Sequence, residues 1–238
     1  MKAERVALAP AHLLHQHAWR ETSKLLEVWS RDHGRIGLVA RGVRRPNSPQ
    51  RSLLQPFTPL IVSWSQRGEL GNLGGVEAAG RSVTLKGRPL MAAFYMNELL
   101  LRLLPRQDAH PALYDAYVQT LGALGGEKPA AALRFFETRL LSAIGYGLNL
   151  AQTSAGEEVE ADLDYLYDLD AGPRPALGRK GPGVPVKGSA LLALEKGTLD
   201  DADDLRAAKR LLAAALEQHL DGRALKTSGV MRALARKP

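Results

Sequence analysis

The chain has 238 residues and no cysteine, which excludes disulfides, thiolate-bound zinc and thiol catalysis and is compatible with a reducing compartment. No apolar run approaches the roughly 20 residues needed to span a bilayer. The start, MKAERVALAP, lacks the apolar core of a signal peptide, so a cytoplasmic protein is expected. No G-x-x-x-x-G-K-[ST] occurs, and GRKGPG at 178–183 has the wrong order and no preceding strand; it reads as a flexible loop, and nothing would cradle a triphosphate. No His lies between His110 and His219, no Ser/His/Asp arrangement can be assigned, and no repeat of fixed period is found. No catalytic residue, metal site or cofactor is expected. A binding protein is.

A further absence points to the partner. From His33 to Gly68 there is no Asp or Glu across 36 positions, but there are six arginines, at 35, 41, 44, 45, 51 and 67. Those from Arg41 to Arg51 flank a Pro/Asn/Ser break between two strand-like runs, where a phosphate-seeking loop would sit on a rigid sheet. The formal net charge of +7 and pI near 9.8 suit a protein that meets nucleic acid or an anionic surface. Charge is also segregated in the opposite sense: no Lys or Arg occurs from Leu140 to Pro173, and Glu157 to Asp170 carries seven acids.

A hydrophobic share of 45% argues for a folded chain of two modest domains. From Arg5 to about Gly80 the runs VALAPAHLL, SKLLEVWS, RIGLVARGV, PLIVSWS and GELGNLGGVE read as five short strands. Asp32-His33-Gly34 signals a hairpin, and Leu60, Val62 and Trp64 alternate with Ile61 and Ser63 at strand period. Five strands in this span predict a small closed barrel of the oligonucleotide/oligosaccharide-binding (OB) type, with an SH3-like barrel as the alternative. After Gly80 the period becomes helical. Arg88 to Leu104 is apolar nearly all round, with Pro89 in its first turn, and reads as a helix buried between the barrel and other helices. His110 to Leu124 and Pro129 to Ile144 follow, the latter ended by Gly145 and Gly147. Gly172 to Pro185 predicts a loop. The helical signal resumes near Val186, strengthens from Asp204 to His219, and returns from Ser228 to Arg236, with Thr227 or Ser228 as N-cap. The expectation is an α+β chain: a five-stranded OB barrel over 1–80, then a helical domain over 81–238 with a small irregular or hairpin insertion, lacking zinc, at about 149–185.

Three clusters invite other chemistry. His12, His15 and His17 form H-x-x-H-x-H, but no carboxylate or second cluster completes a metal site, so surface or turn histidines are expected. Asp200, Asp201, Asp203 and Asp204 could resemble a magnesium cluster, yet they stand where a helix starts and carboxylates favour the positive end of its dipole. The acids from Glu157 to Asp170 lack the spacing of a calcium loop and read as a solvated segment.

Several blocks in fixed order resemble the bacterial recombination and repair family RecO. They are W-x-E-T-S at Trp19 to Ser23, G-R-I-x-L-V-A-R-G-x-R at Gly34 to Arg44, L-Q-P-F-T-P-L at Leu54 to Leu60 and R-G-E-L at Arg67 to Leu70. In the second half they are YMNELL from Tyr95, LRFFE from Leu133, GYGLN from Gly145 and LRAAKR from Leu205. The resemblance implies an OB barrel followed by helices, binding of single- and double-stranded DNA, and annealing of complementary strands without ATP. It further implies work with RecR and, in some members, RecF, and contact with single-stranded DNA-binding protein (SSB), which helps RecA load onto SSB-coated strands. No membrane partner is implied, and a cytoplasmic, nucleoid-associated location is. Many members carry a four-cysteine zinc site after the Gly-Tyr-Gly block; Asn149 to Pro182 has no cysteine here, so zinc is not expected, and a hairpin such as Tyr165 to Leu169 with its return strand must hold without metal.

Taken with that resemblance, Arg41, Arg44, Arg45 and Arg51 are the leading phosphate contacts, with Arg35 and Lys24 extending the track. Trp19, Trp29 and Trp64 could stack bases, although strand tryptophans are more often core. For the SSB tail, which the family implies to be acidic and to end in a Phe and its carboxylate, Arg134 and Arg206 stand in matching blocks, with Lys209 and Arg210 one turn beyond Arg206. A basic RNA- or membrane-associated adaptor is the rival reading. A metal-dependent nuclease using Asp200 to Asp204 is a remote one.

Overall fold

The computed structural model describes residues 4–178, 181–220, 222, 224–227 and 229. The chain forms two compact units. One runs to Gly125 and takes up the chain again at Leu225; the other spans Gly126–Ala224.

The first unit opens with β1 (Glu4–Trp19), β2 (Ser23–Ser30), β3 (Gly34–Ala40), a single helical turn α1 (Gln50–Leu53), β4 (Pro59–Gln66) and β5 (Leu70–Ala78). The five strands are those expected, and they close into a barrel of order β1-β2-β3-β5-β4. The α+β class with an N-terminal OB-type barrel is therefore established. β1 is not short. Its first half pairs with β4, from Glu4↔Gln66 to His12↔Pro59, and its second half with β2, from Ala11↔Ser30 to Trp19↔Ser23. Serving two neighbours requires the strand to bend, and register shifts between Val6 and Ala9 and between Leu13 and His15 supply the bend. At the first shift Leu8 adopts φ 55° and donates its N–H to Ser63 Oγ at 3.0 Å.

Alternation fills the interior. Ala9, Ala11 and Leu13, Leu26 and Val28, Ile36, Leu38 and Ala40, and Leu60, Val62 and Trp64 point into one buried cluster. The opposite faces of β1 and β2 carry a second layer, covered by α2 (Gly87–Leu103) and α3 (Pro111–Ala123). Trp29, fully buried, meets Tyr114 and Tyr117 edge-on at 5.2 and 5.4 Å. Asn97 of α2 donates to Leu14 O at 3.0 Å and accepts from Tyr117 Oη at 2.8 Å, which fixes both helices to β1.

His12 belongs to this layer, which corrects the expectation of surface histidines. It is 3% exposed, with Nδ1 2.8 Å from Tyr114 Oη. His15 and His17 share a face, as their spacing predicts, and both are exposed; the Leu13/His15 bulge leaves His12 on that same outer face, opposite Trp29 as His15 is opposite Glu27, but Tyr114 and Tyr117 of α3 cover it there.

In the second unit α4 (Pro129–Ala143) ends at Gly145, whose φ of +87° a side chain would resist. There follow β6 (Asp164–Asp168), β7 (Gly172–Pro175), β8 (Val184–Lys187), α5 (Gly188–Lys196) and α6 (Ala202–Gln218). The strands form a sheet of order β7-β6-β8. The expected loop from Gly172 to Pro185 thus contains β7 and the start of β8. Its prolines 173, 175 and 185 all lie on edge strands, where a missing N–H costs little. Tyr165 and Tyr167 of β6 are buried, and Tyr165 Oη accepts the Glu160 N–H at 2.9 Å. Arg174 donates to Pro182 O at 2.8 Å. Gly188 lies so close to Glu160 O that a Cβ would sit 1.9 Å from it. These contacts hold the cysteine-free segment. Six of the seven acids from Glu157 to Asp170 are exposed, as a solvated segment requires. Asp168 Oδ1 accepts the N–H groups of Asp170 and Ala171, which holds its carboxyl below the usual range. The helix expected over Ser228 to Arg236, with Ser228 as one cap candidate, lies largely outside the described residues. Thr227, the other candidate, donates its N–H and hydroxyl to Glu98 Oε2.

Burial lowers the His12 pKa from 6.5 to about 4. The fold therefore keeps the imidazole neutral while the unfolded chain takes up a proton near 6.5. Stability contributed by neutral His12 is complete above that value and is lost as pH falls toward 4, by up to about 3 kcal/mol. In urea titrations, the stability gap between the wild type and His12→Gln should narrow by about that amount between about pH 7 and pH 4. A gap independent of pH would contradict the assignment.

Candidate nucleic-acid interface

The basic loop is positioned by strand register. Trp19 pairs with Ser23 across the β1–β2 turn, and Lys24 pairs with Ala40 at the end of β3. The turn at 20–22 and the segment after Ala40 therefore leave the barrel at the same rim. Arg20 turns the first with φ 51° and Gly42 the second with φ 71°. Arg44 ties them together: its N–H donates to Thr22 O at 2.9 Å and its Nη1 to Arg20 O at 3.0 Å. Between them lies a cleft of about 510 Å³ lined by Trp19, Arg20, Thr22, Val39, Arg41 and Arg45 among others, with no carboxylate in its lining.

Arg41, Arg44, Arg45 and Arg51 are all exposed. None of the four is ion-paired among the described residues. Lys24 joins them. Its Nζ donates to Gln16 Oε1 at 2.9 Å, and Gln16 Nε2 donates in turn to Leu54 O at 3.1 Å. Burial pulls the Lys24 pKa below its ordinary value, and the charges of Arg51 and Arg44 pull it further. Mutual repulsion among cations is what a polyanion would relieve.

Arg35 is not brought to this rim. It stands near the other end of β3, about 20 Å from Arg41 along an extended strand. There its Nη1 lies 3.7 Å from Glu27 Oε2, while Arg106 bonds the other Glu27 oxygen. Burial pulls the Arg35 pKa down against the opposing effect of Glu27. The side chain serves the barrel wall. Sequence reasoning missed Arg20, which precedes Glu21 and falls outside the acid-free run; only the hairpin register reveals that it faces Arg41 and Arg45. A second cleft of about 650 Å³ contains Arg67 and Arg106 but also Glu4 and Glu69, so its charge is mixed. Trp29 and Trp64 are core, at 0% and 4% exposure, whereas Trp19 is 39% exposed at the rim.

In the second unit α6 packs against α4. Arg134 on α4 is buried and donates from Nη2 to Glu137 Oε1 at 2.6 Å; its Nε is buried with no acceptor among the described residues. Arg206 on α6 is exposed beside Asp203, with which it pairs, and Lys209 and Arg210 are exposed on the same helix. Asp201 is the N-cap of α6 and accepts the N–H groups of Asp203 and Asp204, the helix-initiating role expected of that cluster. Asp200 pairs with Lys128 at 2.7 Å. Among the described residues no group of three or more His, Asp or Glu side chains is arranged to hold a metal ion, and no helix is long and apolar enough to cross a membrane.

Comparison with known proteins is consistent along the chain. Residues 5–81 match the family model described as Recombination protein O N terminal, and residues 86–229 match Recombination protein O C terminal. A DNA repair protein RecO of Nitrosococcus oceani is 45% identical, covering 98% of this chain and 95% of its own length. The proteins of the same name from Alkalilimnicola ehrlichii and Methylococcus capsulatus are 46% and 47% identical, over 100% and 96% of this chain and 96% and 94% of their own lengths.

Proposed function

The chain belongs to the RecO family of DNA repair proteins, and from that premise we propose that it is a recombination mediator that anneals complementary DNA strands without ATP. Its role lies in DNA repair and recombination. In the proposed reading, residues 1–80 form the DNA-binding domain and the remainder the helical domain, and the protein acts by binding rather than by catalysis. The observation that carries it is the acid-free, arginine-lined rim of the barrel. Phosphates of either single- or double-stranded DNA meet Arg41, Arg45, Arg51 and Lys24 there, while Arg44 holds the two rim loops together and faces solvent. Cations between two strands lower their repulsion, and base pairing supplies the favourable free energy. No nucleotide is needed for that.

Together with RecR, and with RecF where that protein takes part, it would load RecA onto SSB-coated strands in the cytoplasm at the nucleoid. The tail of SSB would dock on the helical domain, with Arg206, Lys209 and Arg210 offering exposed charge. Arg134 Nε, buried and without an acceptor, is a donor that a terminal carboxylate could satisfy, although its Nη2 is held by Glu137.

Annealing of SSB-coated complementary strands, with and without nucleotide, tests the proposal. The wild type should anneal equally in both. Arg41→Ala/Arg45→Ala should slow annealing and reduce the slope of log affinity against log salt by about 1.4–1.8, since each lost phosphate contact removes about 0.7–0.9. An unchanged slope would mean that phosphates lie elsewhere. Separately, Arg206→Glu should abolish binding of an acidic Phe-ended peptide and leave naked DNA binding unchanged. Peptide affinity that survives the charge reversal would place the tail at another site.

A further inference from the structure

The three tryptophans have three different surroundings. Trp29 is sealed under α3 and Trp64 inside the barrel, but Trp19 is 39% exposed at the last position of β1. Its neighbours in the rim cleft are Arg20, Arg41 and Arg45. Each of the two buried indoles has an aromatic neighbour, Tyr114 at 5.2 Å for Trp29 and His33 at 5.2 Å for Trp64; among the described residues no ring packs on Trp19. An exposed indole costs solvation free energy that a stacked partner would recover. Its backbone position is well defined, since the Trp19↔Ser23 pair closes the hairpin and Arg44 clamps the adjoining turn through Arg20 O and Thr22 O. A cleft of about 510 Å³ falls in the range of about 300–1,000 Å³ typical of small-ligand sites.

Resting on the DNA-binding reading above, we propose that Trp19 is a stacking platform for one nucleobase of an unpaired strand, with Arg41 and Arg45 holding the adjacent phosphates. The consequence is selectivity. In a duplex each base face is already covered by its neighbours, so duplex can use only the arginines of this cleft, whereas a single strand can use the arginines and the indole. Arginines alone would discriminate little between the two, because both offer phosphates. A mediator with this cleft would hold single strands by a contact that it must release as they pair, which favours turnover of the annealed product.

The test uses the intact chain and its own fluorescence, since Trp19 is the one tryptophan among the three that solvent reaches. Short oligodeoxythymidylate should quench the emission, and an abasic strand of equal length and charge should bind through phosphates with little quenching. Trp19→Ala should weaken oligodeoxythymidylate binding about tenfold, within the roughly 5- to 150-fold range of base–aromatic stacking, and leave abasic-strand affinity and the salt slope unchanged. Trp19→Phe should retain most of the affinity. Equal quenching by thymidylate and abasic strands, or an unchanged affinity in Trp19→Ala, would overturn the stacking role while leaving phosphate binding intact. Failure of the wild type to bind either strand would overturn both readings.

Discussion

Everything at the candidate interface depends on β1 pairing with two strands at once. A 16-residue strand that hydrogen-bonds β4 along its first half and β2 along its second closes the barrel, and closure leaves no exposed edge between those three strands. The same bend delivers Trp19 and Arg20 to the rim where β3 ends, while alternation with the inward Ala11 and Leu13 turns His12 outward into the layer shared with Tyr114 and Tyr117. The barrel interior is apolar and ordinary. What is specific lies at the place where two connections leave it on the same side.

Charge at that rim is arranged without internal neutralisation. Elsewhere in the first unit several arginines are paired: Arg31 with Asp115, Arg35 and Arg106 with Glu27, Arg102 with Glu98. At the rim the cations crowd one another instead: burial lowers the pKa of the Lys24 ammonium most, and the charges of Arg51 and Arg44 lower it further. Such crowding disfavours the folded state slightly and is tolerated because the side chains are exposed and screened. The acids of the second unit, from Glu157 to Asp170, are likewise left largely to solvent.

Much of this was legible in the sequence. Alternation at Leu60, Val62 and Trp64 located a strand and its inner face, and Gly145 marked where α4 ends. The missing acids from His33 to Gly68 located the basic loop. Register was not legible, because a one-residue shift reverses faces and the bulge at Leu13/His15 has no compositional mark. Tertiary cover and position along a strand are equally unmarked: nothing local shows that α3 lies over His12, that Trp19 stands at the rim while Trp29 and Trp64 are core, or that Arg35 meets Glu27 at the far end of β3 from Arg41. The prolines of Gly172 to Pro185 pointed to a loop, since nothing local tells an edge strand from a turn. Partnership is equally non-local: Glu27 captures Arg35 across the sheet, and Glu98 captures Thr227 from 129 positions away.

The central claim is that one rim of the barrel, built from the 20–24 and 41–51 segments, is the surface that meets DNA. Amide hydrogen exchange on the intact chain, with and without single-stranded DNA, addresses it most directly. The account predicts slowed exchange in those two segments on binding and unchanged exchange across the acidic stretch from 157 to 170. Binding that leaves both rim segments unprotected, or that protects the acidic stretch instead, would contradict it.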